Sequence, residues 1–236
     1  MPQEGRTPTG REGPQTESSP GSDPGDSSAP QGPQDEGTSL RSLCVFCGAG
    51  TGARPSHTQL AAQLGRACAW QGIRVVYGAG GVGVMGALSD AVLAEKGKIV
   101  GVIPQALMDR EYGRTDLTDL RIVQSMHARK ALMHRLSDAF IALPGGYGTL
   151  EELFEITAWA QLRLHQKPIV LLDCDGFFEP LRHMLDHARD EGFISPTDRL
   201  LVQHASTVKD ALHKAARLPY ASAAAEGAPR LTLDQT

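Results

Sequence analysis

The 236-residue chain has no stretch approaching the roughly 20 consecutive apolar residues that a membrane-spanning helix needs. Its N-terminus carries no apolar block of the kind that heads a secretory signal, so none is expected. Cysteine is sparse: the four thiols, at 44, 47, 68 and 174, do not make a disulfide framework in a chain this long. These absences predict a cytoplasmic location. Strong charge of one sign is also missing from most of the chain. The net charge is −4, and residues 1–37 alone carry seven acids against two Arg, which leaves about +1 for everything after them. No bulk signature of nucleic-acid or acidic-membrane binding remains, so neither is expected as a partner.

Residues 1–37 also lack what a core needs. They hold seven Pro, seven Gly and five Ser, and their only apolar side chains are Met1 and Ala29. Such a segment cannot bury enough surface to offset its ordering entropy, and a disordered tail over 1–38 is predicted. A second flexible tail is predicted over 221–236. What lies between, residues 39–220, has the size of a single domain.

Within that span, short apolar runs alternate with helical stretches. Strands are predicted at 43–47, 73–77, 98–103, 121–123, 139–143, 168–172 and 199–202. Helices are predicted from Ser56 to about Trp70, from the second glycine loop to about Lys96, and at 126–136, 149–162, 177–190 and 206–216. Ser56-x-x-Gln59 reads as a capping box opening the first helix. Residues 105–119 read as a polar, irregular loop. Continuous rather than alternating apolar strands, each followed by a helix, indicate an α/β fold: a Rossmann-like, doubly wound parallel sheet.

Three glycine-rich segments follow strand ends: Gly48–Gly52, Gly78–Gly83 and Gly145–Gly148. In doubly wound folds that is where ligands bind. Gly78-x-Gly80-x-x-Gly83 fits a dinucleotide fingerprint, but the next strand ends Gly101-Val102-Ile103-Pro104, without the acid that would hold a ribose. A mononucleotide or sugar phosphate fits better. The third segment, Leu143-Pro144-Gly145-Gly146-Tyr147-Gly148-Thr149, leads into a helix, and free N–H groups at a helix start make an anion seat. Glu152 follows one turn in. Thr149-x-x-Glu152 is both a capping box and a possible placement of a catalytic carboxylate, and spacing leaves the two readings level. Cys44-x-x-Cys47 reads as two buried residues on opposite faces of one strand rather than a metal or redox pair. The histidines lack metal-like spacing except His183-x-x-x-His187, read as solvated surface.

Together these segments closely resemble the LONELY GUY (LOG) family of cytokinin riboside 5′-monophosphate phosphoribohydrolases. Pro144-Gly145-Gly146-Tyr147-Gly148-Thr149-Leu150-Glu151-Glu152 matches the family's hallmark in full, and Met126-His127-Ala128-Arg129-Lys130 matches its Arg-Lys segment. Val45–Gly48, Val76–Gly86, Ser137–Leu143 and Gln161-Leu162 follow the family order, over about residues 43–205. The resemblance implies hydrolysis of the N-glycosidic bond of an adenosine 5′-monophosphate, often N6-prenylated, to free base and ribose 5-phosphate. It implies a homodimer or larger homo-oligomer and no metal or organic cofactor, although members are often labelled lysine decarboxylases. It gives Arg129 and Glu152 catalytic roles. With the glycine loops, it makes Gly48, Gly80, Gly81, Glu111, Met126, Arg129, Lys130, Gly145, Gly146, Tyr147, Gly148, Thr149 and Glu152 the candidate substrate-binding residues. The chain departs from the family pattern at Ala79, where glycine is usual, at Ala128, and at Thr157, one place early. A protein of the same fold that binds a nucleotide without turning it over is the competing reading. A scaffold whose acidic tail recruits a partner is a weaker third one.

Overall fold

The computed structural model describes residues 40–108 and 113–217. The two expected tails and Glu111 lie outside the described residues. Seven strands, β1 (Ser42–Phe46), β2 (Arg74–Tyr77), β3 (Ile99–Pro104), β4 (Asp119–Val123), β5 (Ala139–Ala142), β6 (Ile169–Leu172) and β7 (Val202–Ala205), form one sheet in the order β4-β3-β2-β1-β5-β6-β7. Every pairing is parallel. The order runs outward in both directions from β1 and β5, so the crevice above those two strands is the switch point of a doubly wound sheet.

Helices α1 (Pro55–Trp70), α2 (Gly83–Ala94) and α8 (Val208–Ala215) cover one face, where Leu60, Leu64, Leu88 and Leu212 meet Leu43, Val45, Val75 and Ile141. Helices α4 (Met126–Arg135) and α5 (Tyr147–Gln161) cover the other, bringing Met133, Leu153 and Ile156 onto Cys44, Phe46, Phe140 and Leu171. Alternate residues of each strand serve opposite faces, and both faces are dry, which is why the strands read as unbroken apolar runs. Cys44 and Cys47 fall in opposite cores as the spacing requires. The remaining helices are the short α3 (Gln105–Met108) and α7 (Pro196–Arg199), and α6 (Glu179–Asp190). Among the described residues no helix is long and apolar enough to cross a membrane.

Four expectations about local structure need correcting. The first helix opens at Pro55 with Arg54 as its N-cap and no side-chain cap bond; the Ser56 hydroxyl donates instead to the Asp175 carboxylate. The expected strand at 199–202 is a helical turn, α7, set by Ser195 accepting from Asp198 N and by Pro196 at the first helical position, with β7 following it. Gln105–Met108 forms a helical turn where loop was expected. The fifth helix starts at Tyr147, two residues early, with Gly146 as N-cap and no side-chain cap bond.

Glycine is required where loops meet backbone to backbone. Gly83 has φ +63°, and a Cβ there would fall onto the Ala49 carbonyl. Gly83→Ala combines left-handed strain with that clash and should cost about 2 kcal/mol or more, a fall of roughly 4–8 °C in Tm. A Cβ on Gly148 meets nothing within 4 Å, so Gly148→Ala should leave Tm within about 3 °C of wild type. Calorimetry on the two variants checks the contrast, and equal losses would contradict it.

Candidate active site

The ends of β1, β2, β5 and β6 and the start of α4 surround a cavity of about 780 Å³. The loop after β1 ties this rim together. Gly48 N donates to Pro144 O (3.2 Å), while Gly48 O and Gly50 O accept from Met85 N (3.1 Å) and Val84 N (3.2 Å). Because those bonds occupy the N-terminus of α2, the second glycine loop has no free helix end to offer. The N-terminus of α5 differs. The first intrahelical bond there is Leu150 N to Gly146 O (3.1 Å), so the N–H groups of Tyr147, Gly148 and Thr149 have no intrahelical acceptor. Gly148 and Thr149 line the cavity with the positive end of the helix dipole behind them, an arrangement suited to an anion.

One turn further in, Glu152 projects into the same cavity and is only 8% exposed. Its Oε1 lies 3.6 Å from Arg129 Nη2, itself 3.5 Å from Gly78 O. Arg129 Nε is buried without a hydrogen-bond partner among the described residues. The pair is therefore loose, an ion pair at a distance just beyond a hydrogen bond. Burial raises the Glu152 carboxyl to about 7 against the pull of Arg129. Glu152 is the sixth residue of α5 rather than its third, so the capping-box reading of Thr149-x-x-Glu152 does not hold. Cys47 also lines the cavity, but burial first and the Glu152 charge second push its thiol far above the range of a reactive thiolate.

Of the residues expected to bind substrate, Gly48, Met126, Arg129, Gly145, Gly146, Gly148, Thr149 and Glu152 line this one cavity. Gly80 and Gly81 do not; Gly80 packs against Met85 and bridges Gly113. Tyr147 turns its ring into solvent, 93% exposed. Lys130 does not line the cavity either, being held in ion pairs to Glu151 and to Glu155 (2.9 Å). His183 pairs on the surface with Glu179 (3.1 Å). Sequence reasoning missed Arg54, His57, Asp175, Gly176 and Phe177, which close the side of the cavity beside β6. The available signal was Asp173-x-Asp175-Gly176 directly after a buried strand.

The high Glu152 value carries a sign. In the folded chain the carboxyl holds its proton to higher pH than in the unfolded chain, so stability declines as pH rises from about 4.5 to about 7 and stays reduced above that. Glu152→Gln removes the cost of ionisation. It should stabilise the fold at pH 8 by on the order of 2–3 kcal/mol, an advantage that vanishes towards pH 5. Urea melts of both proteins at the two pH values check this; a variant less stable than wild type at pH 8 would contradict it.

Comparison with known proteins agrees with this geometry. Residues 85–215 match the family model described as "Possible lysine decarboxylase". The probable cytokinin riboside 5′-monophosphate phosphoribohydrolase LOGL5 of Oryza sativa subsp. japonica is 50% identical over 175 residues, 74% of this chain and 71% of that protein. Cytokinin riboside 5′-monophosphate phosphoribohydrolase LOG7 of Arabidopsis thaliana is 47% identical over 72% of this chain and 79% of its own. Among solved structures, the molybdenum cofactor binding protein from Rippkaea orientalis shares the fold, with a TM-score of 0.56, 24% identity, and 73% and 93% of the two chains covered. With the hallmark segments gathered on one cavity and relatives this similar over most of its length, the chain belongs to the LOG family of cytokinin riboside 5′-monophosphate phosphoribohydrolases.

Proposed function

We propose that the protein hydrolyses the N-glycosidic bond of adenosine 5′-monophosphate or an N6-substituted form of it, releasing free base and ribose 5-phosphate. One observation carries the reading: Gly148 and Thr149, whose N–H groups have no intrahelical acceptor, and the buried Glu152–Arg129 pair line the same cavity. The helix end takes the 5′-phosphate and so fixes the sugar. As the bond from C1′ to the purine breaks, positive charge develops on the ribose and negative charge on the departing base. The Glu152 carboxylate faces the former and takes a proton from the attacking water, whose oxygen bonds to C1′, while the base leaves with the electron pair of the broken bond and takes up one proton in exchange. Arg129 holds a ribose hydroxyl or phosphate oxygen, which converts binding energy into alignment. A carboxyl near 7 is matched to that task at neutral pH, whereas a group that only bound ligand would gain nothing from being desolvated.

The protein acts, on this reading, in the cytoplasm as a homodimer or larger homo-oligomer. The apolar side chains that α5 leaves in solvent, Phe154 and Leu162, are 46% and 58% exposed and suit an interface between copies. Light scattering that gives the monomer mass at micromolar concentration would contradict that assembly.

Chromatographic assay of released base tests the chemistry. Adenine should leave AMP far faster than adenosine, because the nucleoside lacks the anion that the α5 end receives. Glu152→Gln should keep the fold and lower kcat by about 10²-fold or more. The kcat/KM profile should fall on the acid side with a midpoint near 7, above the substrate phosphate's own ionisation at about 6. Near-normal turnover by a stably folded Glu152→Gln protein would overturn the reading.

A further inference from the structure

Arg129 leans on the second glycine loop. Its Nη2 lies 3.5 Å from Gly78 O, and a Cβ on Gly78 would fall onto the guanidinium, so the path of this backbone decides where Arg129 stands. The next residue makes that path a strained one. Ala79 is fully buried and left-handed, φ +65°, a conformation that holds a non-glycine residue about 1–2 kcal/mol above its preferred state. Such a residue persists only where its surroundings over-determine it.

Those surroundings are residues 113–118, which lead into β4. Arg114 N donates to Ala79 O (3.0 Å), and Gly113 bridges Gly80. Leu117 and the Ala79 methyl share the space that Gly101 leaves. The Arg114 side chain holds this segment in turn. Its Nη1 donates to Ser89 Oγ (3.0 Å) and to the Asp90 carboxylate, both on α2, while Nε and Nη2 grip Asp116 as a fork at 2.6 and 2.9 Å. With only 18% of the side chain exposed, these charge-assisted bonds are partly shielded from water. The planar fork lets one side chain join three partners, which a lysine could not do. Arg114 itself does not line the cavity.

We propose that Arg114 is a positioning residue for the hydrolysis: by clamping residues 113–118 to α2 it keeps Ala79 left-handed, and so holds Gly78 O where Arg129 rests beside Glu152. The inference rests on the phosphoribohydrolase reading, which makes Arg129 and Glu152 the working pair.

The test is a double-mutant cycle of Arg114→Ala and Ala79→Gly, assayed by base release from AMP at a temperature where calorimetry shows all four proteins folded. Arg114→Ala should lower kcat/KM by about tenfold, the scale of a small displacement of a positioning group. Ala79→Gly alone should stay within about twofold of wild type, because glycine keeps the left-handed backbone without strain. In the double variant most of the lost rate should return, since glycine at 79 no longer needs the clamp.

The acid limb of the pH profile is the second readout. As Arg129 moves off, the Glu152 carboxyl loses a charge that lowers it. The midpoint should therefore climb from about 7 by about half a unit or more in Arg114→Ala, and fall back in the double variant. Glu151, Lys130 and Glu155, which also act on that carboxyl, stand on α4 and α5 and are the same throughout the cycle. A smaller folded fraction would cut the rate and leave the midpoint unmoved. If Arg114→Ala does not fold, Arg114→Lys, which keeps the charge and loses the fork, takes its place. The inference fails if the Arg114 variant works at the wild-type rate, if its midpoint stays near 7, or if Ala79→Gly leaves the loss in place. Should wild type release no base from AMP, the hydrolase reading is what fails. Calorimetric AMP affinity of the same four proteins then decides, since an equal Kd across the cycle would overturn the clamp.

Discussion

The structure turns on three backbone hydrogen bonds made by Gly48 and Gly50. A loop that leaves a buried parallel strand has carbonyls and N–H groups that must be satisfied before anything can be built on it. Here Gly48 N takes Pro144 O, and the carbonyls of Gly48 and Gly50 take the first N–H groups of α2. Those bonds pull the ends of β1, β5 and the β2–α2 connection into contact. They demand glycine where a Cβ would strike backbone, as at Gly83 and at Gly145, whose Cβ would come within 2.8 Å of Gly48 N. They also use up one helix end and leave another free. The anion seat at α5 is thus a consequence of how its neighbours are satisfied, more than a property of its own sequence.

The same packing sets the chemistry of Glu152. Closing the β1 loop over β5 removes water from the first turns of α5, and a carboxylate there loses solvation that one cation at 3.6 Å only partly restores. A tighter Arg129–Glu152 contact would steady the fold and lower the carboxyl towards its ordinary range. Lys130 shows the alternative on the same helix: it sits between Glu151 and Glu155, which together outweigh its burial and raise its pKa. One basic residue of the Arg-Lys segment is committed to structure, and its neighbour is left under-partnered in the cavity.

What the sequence disclosed follows the same division. Buried strands announce themselves as apolar runs, so the parallel sheet and the strand-end position of the glycine loops were readable from Leu43–Phe46, Ile73–Tyr77 and Ala139–Leu143. Helix starts were less so. Ser56 and Thr149 both sit in capping-box spacing, yet the helices begin at Pro55 and Tyr147, because proline and the Pro-Gly-Gly turn fix the backbone before a side-chain cap can. The β6 turn showed in the sequence only as Asp173-x-Asp175-Gly176, and its place at the cavity was hidden for a different reason. Asp175 and Phe177 reach the cavity only because β6 lies beside β5, a fact of strand order that local pattern does not carry.

Strand order also explains why the departures from the family pattern do not disturb the site. Ala79, where glycine is usual, does adopt a left-handed backbone, φ +65°, and is fully buried. Its methyl points away from the cavity, onto β3, where Gly101 has no side chain; a Cβ there would lie 2.8 Å from it. The strain of a left-handed alanine, about 1–2 kcal/mol, is offset in part by that methyl's burial, about 0.8 kcal/mol. Ala128 likewise stays off the cavity, its N–H donating to the Ser125 cap at 3.1 Å. Both changes alter how the frame packs. Gly145 to Thr149 and Glu152 stand on the β5–α5 segment, which neither change touches, and Arg129, although it follows Ala128 on α4, turns to the cavity while Ala128 does not.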